Sequence, residues 1–285
     1  MKAIQINSYG GPEVSELNDV VKPFPKNGQI LVEVYAASIN PFDIKIRSGL
    51  YKEHMPIQFP ATLGGDFAGV VTELGEGVDG FKVGDKVYGS ANILNGGSGS
   101  YAEFATVNIA NSAHMSKNVD FMEAAALPVV GCSAVQAFEQ YFKLKKGQKI
   151  LIHGGAGGIG HLAIQLAKSI GAYIATTVIN DDLAFVKNLR ADEVVDYQKQ
   201  NFHEVLKDYD CVFDLVGGEV TNKSFGVLKK GGILVSMLGT PSEELAKKYG
   251  VTVVGQGTKT ETANLTRVAE LVDSGKMKVN IDKVF

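Results

Sequence analysis

The sequence predicts an α/β protein: a small β domain followed by a doubly wound domain with a parallel sheet. Three observations predict it. Lys149–Ile170 reads as a short apolar strand, a glycine-rich turn and a one-faced helix. The chain beyond it alternates short apolar runs with helical patterns as far as residue 254. The first 120 residues instead carry many short strand patterns divided by Gly-, Asp- and Pro-bearing turns, the mark of a small barrel or sandwich.

In the β part, Gln29–Ile39 alternates Leu31, Glu33 and Tyr35 against Val32 and Val34. Gly69–Leu74, Lys86–Tyr88 and Tyr101–Val107 are further strands, and Asn95–Ser100 is a flexible loop by composition. Near Asp120 the composition changes. Met122–Leu127 and Ser133–Phe142 read as helices interrupted by Pro128 and Gly131. The repeats that follow place strands at Ile150–Ile152, Tyr173–Val178, Glu193–Val195, Cys211–Leu215, Gly232–Leu238 and Val251–Val254. Helices fall at Leu183–Leu189, Phe202–Leu206, Thr221–Leu228 and Glu243–Tyr249. Thr262–Val272 is a last helix, and Lys278–Phe285 reads as a strand starting back toward the first domain.

Composition narrows the function classes. An apolar content of 45% with 21% charged residues supports a proper core, and a net charge of −3 gives no case for nucleic acid or an anionic membrane. No run of 18 apolar residues predicts a membrane span, and MKAIQINSYG turns polar at once, unlike a secretory leader. Two cysteines, Cys132 and Cys211, make neither a disulfide framework nor a cysteine metal site, which fits a reducing cytoplasm.

The glycine-rich turn carries the chemistry. Gly155, Gly157 and Gly160 fit G-x-G-x-x-G between a strand and a helix, the setting that motif requires. Gly155 permits the tight turn, Gly157 lets a pyrophosphate approach the backbone, and Gly160 lets helix and strand pack closely. The phosphates are expected on free N–H groups at the helix N-terminus, and Gly155, Ala156, Gly157, Gly158 and Ile159 are the cofactor-binding residues expected in the turn. Val216, Gly217 and Leu238, at the carboxyl ends of later strands, complete the expected dinucleotide site.

Six stretches in order resemble the medium-chain dehydrogenase/reductase superfamily, in its zinc-independent quinone oxidoreductase-like and enone reductase branch. They are AASINPFDIKIRSGLY (36–51), FPATLGGDFAGVV (59–71), FKVGDKVYG (81–89), AAALPVVGCSAVQAF (124–138), IHGGAGGIGHLAIQLAK (152–168) and VFDLVGG (212–218). The resemblance implies a GroES-like β-barrel substrate domain, residues 1–122 and 257–285, and a Rossmann cofactor domain, residues 123–256. Zinc-dependent relatives place a cysteine at Asn40, a His-Glu pair at Gly65-Asp66 and a four-cysteine loop near residues 90–100. Each of those ligands is missing here, so no zinc is expected. Relatives continue past a segment like IDKVF (281–285).

For individual residues, the resemblance implies that Ser133 supplies a hydroxyl near the nicotinamide and that Asn40 has a site role. Asn40 precedes Pro41, and its amide could donate to a carbonyl or to the cofactor ribose. Tyr51 is either a half-buried packing tyrosine or a phenol offered to a developing enolate or quinol oxygen. Asp43, Lys45 and Arg47 alternate along a short segment, either a solvated charged stretch or, at Lys45, a third donor. Asp66 is read as a buried turn acid, and His153 and His161 as packing or surface residues. The second strand of the cofactor domain ends in ATTVIN (175–180), with Thr177 where NAD-preferring folds place an acid. A neutral residue does not repel a 2′-phosphate, so NADP(H) is expected over NAD(H). The family's basic partner is missing, with Asn180 and Asp181 in its region.

The expected activity is hydride transfer from NADP(H) to a quinone or to the C=C bond of an α,β-unsaturated carbonyl. Two alternatives stay open: carbonyl or alcohol oxidation–reduction, and a cofactor-bound sensor or structural protein without turnover. A homodimer is expected through the edge strand Val251–Val254.

Overall fold

The computed structural model describes residues 1–285, which form two compact units. The first comprises Met1–Val129, Thr260–Asp273 and Ile281–Phe285, and the second Val130–Lys259 and Ser274–Asn280. Sequence reading puts the changeovers at 123 and 257. By contact they fall at 130 and 260, and residues 274–280 belong with the second unit.

The first unit is antiparallel β. Its strands are β1 (Lys2–Ile6), β2 (Ser15–Asp19), β3 (Gln29–Ala37), β4 (Ala61–Thr62), β5 (Asp66–Leu74), β6 (Lys86–Ser90), β7 (Phe104–Asn108) and β8 (Ser112–His114). They make a three-stranded sheet, β2-β1-β4, and a five-stranded sheet, β7-β3-β5-β6-β8. Ile30 and Val32 of β3 meet Phe67, Val71, Val87 and Val107 in a buried core, so the predicted alternation is used on one face. Register shifts interrupt the β3–β5 ladder at Leu31/Val32 and Val34/Ala36. Such bulges bend and twist a sheet, which is how five strands curl into a half-barrel. At Gly69 a Cβ would collide with the Glu33 carbonyl oxygen, so the close approach beside the second bulge admits only glycine.

Two of the next three helical segments depart from the sequence reading, and the second falls on the helix expected at Met122–Leu127. Residues 41–47 form a helix, α1 (Pro41–Arg47), in place of an alternating charged stretch. Pro41 suits a first helical position, and the Asp43 carboxylate accepts from the Asn40 N–H at 2.8 Å, closing the first turn. α2 (Phe121–Ala125) is capped the same way by Asp120 and Glu123. α3 (Pro128–Gln136) runs into a single π turn, Ala137–Phe142. Pro128 begins that helix and Gly131 lies within it, so neither interrupts it.

The second unit opens on β9 (Lys149–His153) and α4 (Gly158–Ile170). There follow β10 (Tyr173–Val178), α5 (Leu183–Asn188), β11 (Glu193–Asp196), α6 (Phe202–Val205), β12 (Tyr209–Asp214), α7 (Glu219–Ser224), β13 (Leu228–Ser236), α8 (Glu243–Tyr249) and β14 (Thr252–Gly255). All six strands are parallel, in the order β11-β10-β9-β12-β13-β14. The chain winds outward from β9 to β11, then restarts beside β9 at β12. That reversal makes the carboxyl ends of β9 and β12 the switch point where doubly wound folds bind ligands. β14 is an edge strand. α9 (Thr262–Asp273) follows in the first unit.

Lys278–Phe285 is not a strand. Gln165 of α4 bonds the Lys278 backbone twice, donating to its carbonyl and accepting from its N–H at 2.9 Å each. A side chain thus satisfies backbone groups that a sheet would otherwise pair. No helix is long and apolar enough to cross a membrane.

Candidate functional site: a dinucleotide cradle and a buried polar centre

The glycine loop is close-packed at two of its three motif positions. A Cβ at Gly155 would collide with Thr176 Oγ1 of β10, and one at Gly160 would collide with the Gly154 carbonyl oxygen. Both positions are closed by protein. At Gly157 the only neighbour is the Gly154 oxygen at 3.3 Å. Gly157 caps α4 with no side-chain hydrogen bond. The open side of the turn, the N-terminus of a 13-residue helix and the absent side chains fit a pyrophosphate.

A second loop is built beside it by Asp214, the last residue of β12. Asp214 is fully buried. Its Oδ1 accepts from the Val216 N–H at 3.0 Å and the Gly217 N–H at 2.9 Å. Its Oδ2 accepts from the Thr221 and Ser236 hydroxyls. This folds residues 215–218 back on themselves, with Gly217 and Gly218 at φ 84° and 63°. The turn leaves Val216 half exposed. A Cβ on Gly217 would meet Leu238 Cβ at 2.8 Å, and one on Gly154 would meet Val216 Cγ2 at 3.7 Å. Gly154, Val216, Gly217 and Leu238 therefore line one rim at the switch point. Asp214 was not singled out from the sequence, although an acid closing the apolar run CVFD before Gly-Gly is a usable signal.

Two expected cofactor residues are turned inward. Thr177 is buried, its hydroxyl bonded to His153 Nδ1 at 3.0 Å and accepting from the Gly154 N–H at 3.3 Å. The hydroxyl thus ties β10 to the glycine loop. His153 bridges Thr177 and the Ser224 hydroxyl, the latter at 2.9 Å. Burial pushes its imidazole down to about 4, against an opposing pull from Asp214, so it is neutral at physiological pH. Ser133 is also buried, and its hydroxyl shares a 2.6 Å hydrogen bond with Thr258. In the same unit, Lys199 lies 2.9 Å from Asn180 Oδ1 and 3.1 Å from Asp196 Oδ2. It comes from the segment after β11, 19 residues beyond Asn180, which is why local inspection of ATTVIN finds no base.

The first unit has its own polar centre, at the start of α1. Asn40 caps that helix, and its amide nitrogen faces Asp66 Oδ2 at 3.0 Å and Ser38 Oγ at 3.1 Å. The nitrogen that sequence reading offered to a substrate is therefore engaged with the protein. Asp66, the first residue of β5, is fully buried. Its Oδ2 also accepts from the Ser38 hydroxyl at 3.2 Å and the Val129 N–H of α3 at 3.1 Å, while its Oδ1 is sealed without a partner. Burial pushes Asp66 up to about 7, with the neighbouring Asp43 charge adding to the rise and the three donors opposing it. Asp43 is raised for the same reason, burial, although it accepts from the Tyr101 hydroxyl at 2.9 Å.

Tyr51 is half-buried, its ring tilted against Phe42 at 6.0 Å. Its hydroxyl and the Lys45 ammonium make no hydrogen bond within the protein. Asn40, Lys45 and Tyr51 thus share one segment, α1 and the turn after it, without bonding to one another. Gly49, at φ 75°, makes that turn against the Tyr9 ring.

Residues 26–117 match the alcohol dehydrogenase GroES-like domain, and residues 189–285 match the zinc-binding dehydrogenase family. The chain is 35% identical to a chloroplast envelope quinone oxidoreductase homolog of Arabidopsis thaliana, over 99% of this chain and 90% of that one. It belongs to the quinone oxidoreductase-like branch of the medium-chain dehydrogenase/reductase superfamily. Within that superfamily it is also similar to an NADPH-dependent alkenal/one oxidoreductase of the same plant, 35% identical over 99% of this chain and 72% of the relative. The solved quinone oxidoreductase of Coxiella burnetii superposes with a TM-score of 0.90 at 36% identity, over 100% of this chain and 91% of that one. The positions to which the resemblance assigns zinc ligands in metal-dependent relatives carry Asn40, Gly65 and Asp66 here. No three His, Cys, Asp or Glu side chains are grouped to hold a metal ion.

Proposed function

We propose that this chain is a zinc-independent, NADP(H)-dependent oxidoreductase that reduces quinones or the C=C bond of α,β-unsaturated carbonyls. The observation that carries the reading is the cradle of Gly154–Gly158, Val216, Gly217 and Leu238 at the switch point, in a chain similar to quinone and alkenal/one oxidoreductases. When bound, the reduced nicotinamide supplies hydride. The glycine loop and the α4 N-terminus hold the pyrophosphate, and Asp214 keeps the Val216–Gly217 rim in shape. With an enone, hydride on the β-carbon leaves negative charge on the former carbonyl oxygen, and the α-carbon then takes a proton. Tyr51 and Lys45 are the donors proposed for that oxygen, because neither is bonded within the protein. Tyr51 or solvent supplies the proton.

NADPH is proposed over NADH. No acid faces a 2′-phosphate from Thr177, and Lys199, 66% exposed at its side chain, brings a cation beside Asn180. A homodimer through the β14 edge and a reducing, cytoplasmic setting for the buried free cysteines complete the reading.

A panel of quinones, enones and aldehydes assayed with NADPH and NADH tests the proposal. Steady NADPH oxidation with quinones or enones supports it. Tight NADPH binding with no turnover points to a sensor or structural protein. Aldehyde turnover alone points to carbonyl chemistry. Lys199→Ala is expected to narrow the gap between the NADPH and NADH dissociation constants, and a tighter constant for NADH in the parent protein overturns the cofactor preference. Tyr51→Phe is expected to lower kcat with an enone, since one well-placed donor is worth about 2.7–4 kcal/mol to the transition state. Quinone reduction should suffer less, because the product is stabilised as it becomes aromatic. Enone turnover slowed by less than threefold removes Tyr51 from the mechanism.

A further inference from the structure

Asp66 receives hydrogen bonds from the start of α1 and from the start of α3. Three donors converge on its Oδ2: the Ser38 hydroxyl, the Asn40 amide and the Val129 N–H. Asn40 caps α1, which bears Lys45 and leads directly to Tyr51. Val129 is the second residue of α3, which bears Ser133. The carboxylate also decides how Asn40 stands. With Oδ2 at 3.0 Å, the amide must turn its nitrogen inward, because an oxygen there would face another oxygen.

The arrangement is poor as a device for stability alone. Asp66 Oδ1 is sealed without a partner, and burying such an atom is unfavourable. Burial also holds the carboxyl well above its ordinary range. An apolar side chain of similar size would avoid both penalties but could not orient Asn40. Locally unfavourable features of this kind concentrate where geometry matters to function.

We infer that Asp66 is a positioning residue for the reaction, acting through Asn40 to fix the start of α1 and hence the stance of Lys45 and Tyr51. The inference rests on the reading of Tyr51 and Lys45 as donors to the substrate oxygen. Asp66 does not touch substrate. Its contribution passes through the amide, so cutting the link at either residue should have the same effect as cutting it at both.

A double-mutant cycle tests this. Asp66→Leu, Asp66→Asn and Asn40→Ala are made singly, and Asp66→Leu is added to Asn40→Ala. Melting curves and near-ultraviolet dichroism report folding, and NADPH titration reports the second unit. Asp66→Leu is expected to lower kcat for an enone at least tenfold in the parent protein but less than twofold in Asn40→Ala. NADPH affinity should stay within twofold. Asp66→Asn retains an oxygen for the three donors and should keep kcat within threefold. If Asp66→Leu does not fold, Ser38→Ala removes the bridging hydroxyl and should show the same dependence on Asn40 with a smaller loss. Equal losses in both backgrounds, or a lowered melting point with unchanged kcat, overturn the inference. If Tyr51→Phe slows enone reduction and Asp66→Leu does not, only the positioning role fails. If Tyr51→Phe and Asn40→Ala both leave kcat unchanged, the donor assignment itself is wrong.

Discussion

Asp66 and Asp214 are both fully buried, both stand at strand ends, and each holds a segment that carries proposed site residues. They differ in how their oxygens are used. Asp214 divides four donors between its two oxygens, two backbone N–H groups on one and two hydroxyls on the other. Asp66 gathers three donors on one oxygen and leaves the other bare, with the Asp43 carboxyl nearby. Burial alone therefore does not determine what a carboxylate does. The distribution of donors makes one a loop builder and the other a group whose ionisation opposes folding.

The largest effect expected from this contrast is a pH dependence. The folded-state carboxyl of Asp66 is raised from 3.8 to about 7, so ionisation is harder in the folded chain than in the unfolded one. Its stabilising contribution is complete below about pH 3.8 and is lost as pH rises through 7. Asp66→Asn removes that loss. The unfolding free energy of the variant relative to the parent should climb between about pH 4 and pH 8, toward a limit of about 4 kcal/mol in urea unfolding. Asp43 shifts in the same direction and remains in both proteins, so the difference reports Asp66 together with the relief its neutral form gives to Asp43. A flat difference across that range breaks the comparison.

Next in size is Asp214→Ala, which strips partners from the Val216 and Gly217 N–H groups and from the Thr221 and Ser236 hydroxyls. At about 1–3 kcal/mol for each group left buried and unpaired, a loss of at least about 3 kcal/mol is expected in urea unfolding, with weakened NADPH binding. Unchanged binding would show that the 215–218 turn is held by its glycines instead.

The smallest effect separates packing from access in the glycine loop. Gly160→Ala drives a Cβ into the Gly154 backbone and should cost about 1–3 kcal/mol of stability. Gly157→Ala meets only one oxygen at 3.3 Å and should cost under about 1 kcal/mol, yet weaken NADPH binding. Equal losses of stability would mean that Gly157 is a packing glycine like its neighbours.

Where local pattern governs structure, residues alone were enough. The G-x-G-x-x-G turn between strand and helix, the succession of parallel strands and the early β domain all follow from periodicity and turn chemistry within windows of about twenty residues. The family stretches extended this to a reading of site residues. The local reading erred where a side chain satisfied backbone that the pattern assigned elsewhere, as Gln165 does for Lys278 and Asp43 does for Asn40. It also does not register that Lys199 reaches Asn180 from the end of the neighbouring strand.

By itself, the sequence determined the fold class, the glycine-rich turn between strand and helix, and the family, because each is written in residues close together in the chain. Only the tertiary structure decided which polar groups point inward. Thr177 is taken up by His153 and the glycine loop, Ser133 by Thr258, and the Asn40 amide by Asp66. Those partners lie 23 to 125 residues away. The cause is the cost of leaving a buried donor or acceptor unpaired, which no local pattern records because the partner is supplied by a distant part of the chain.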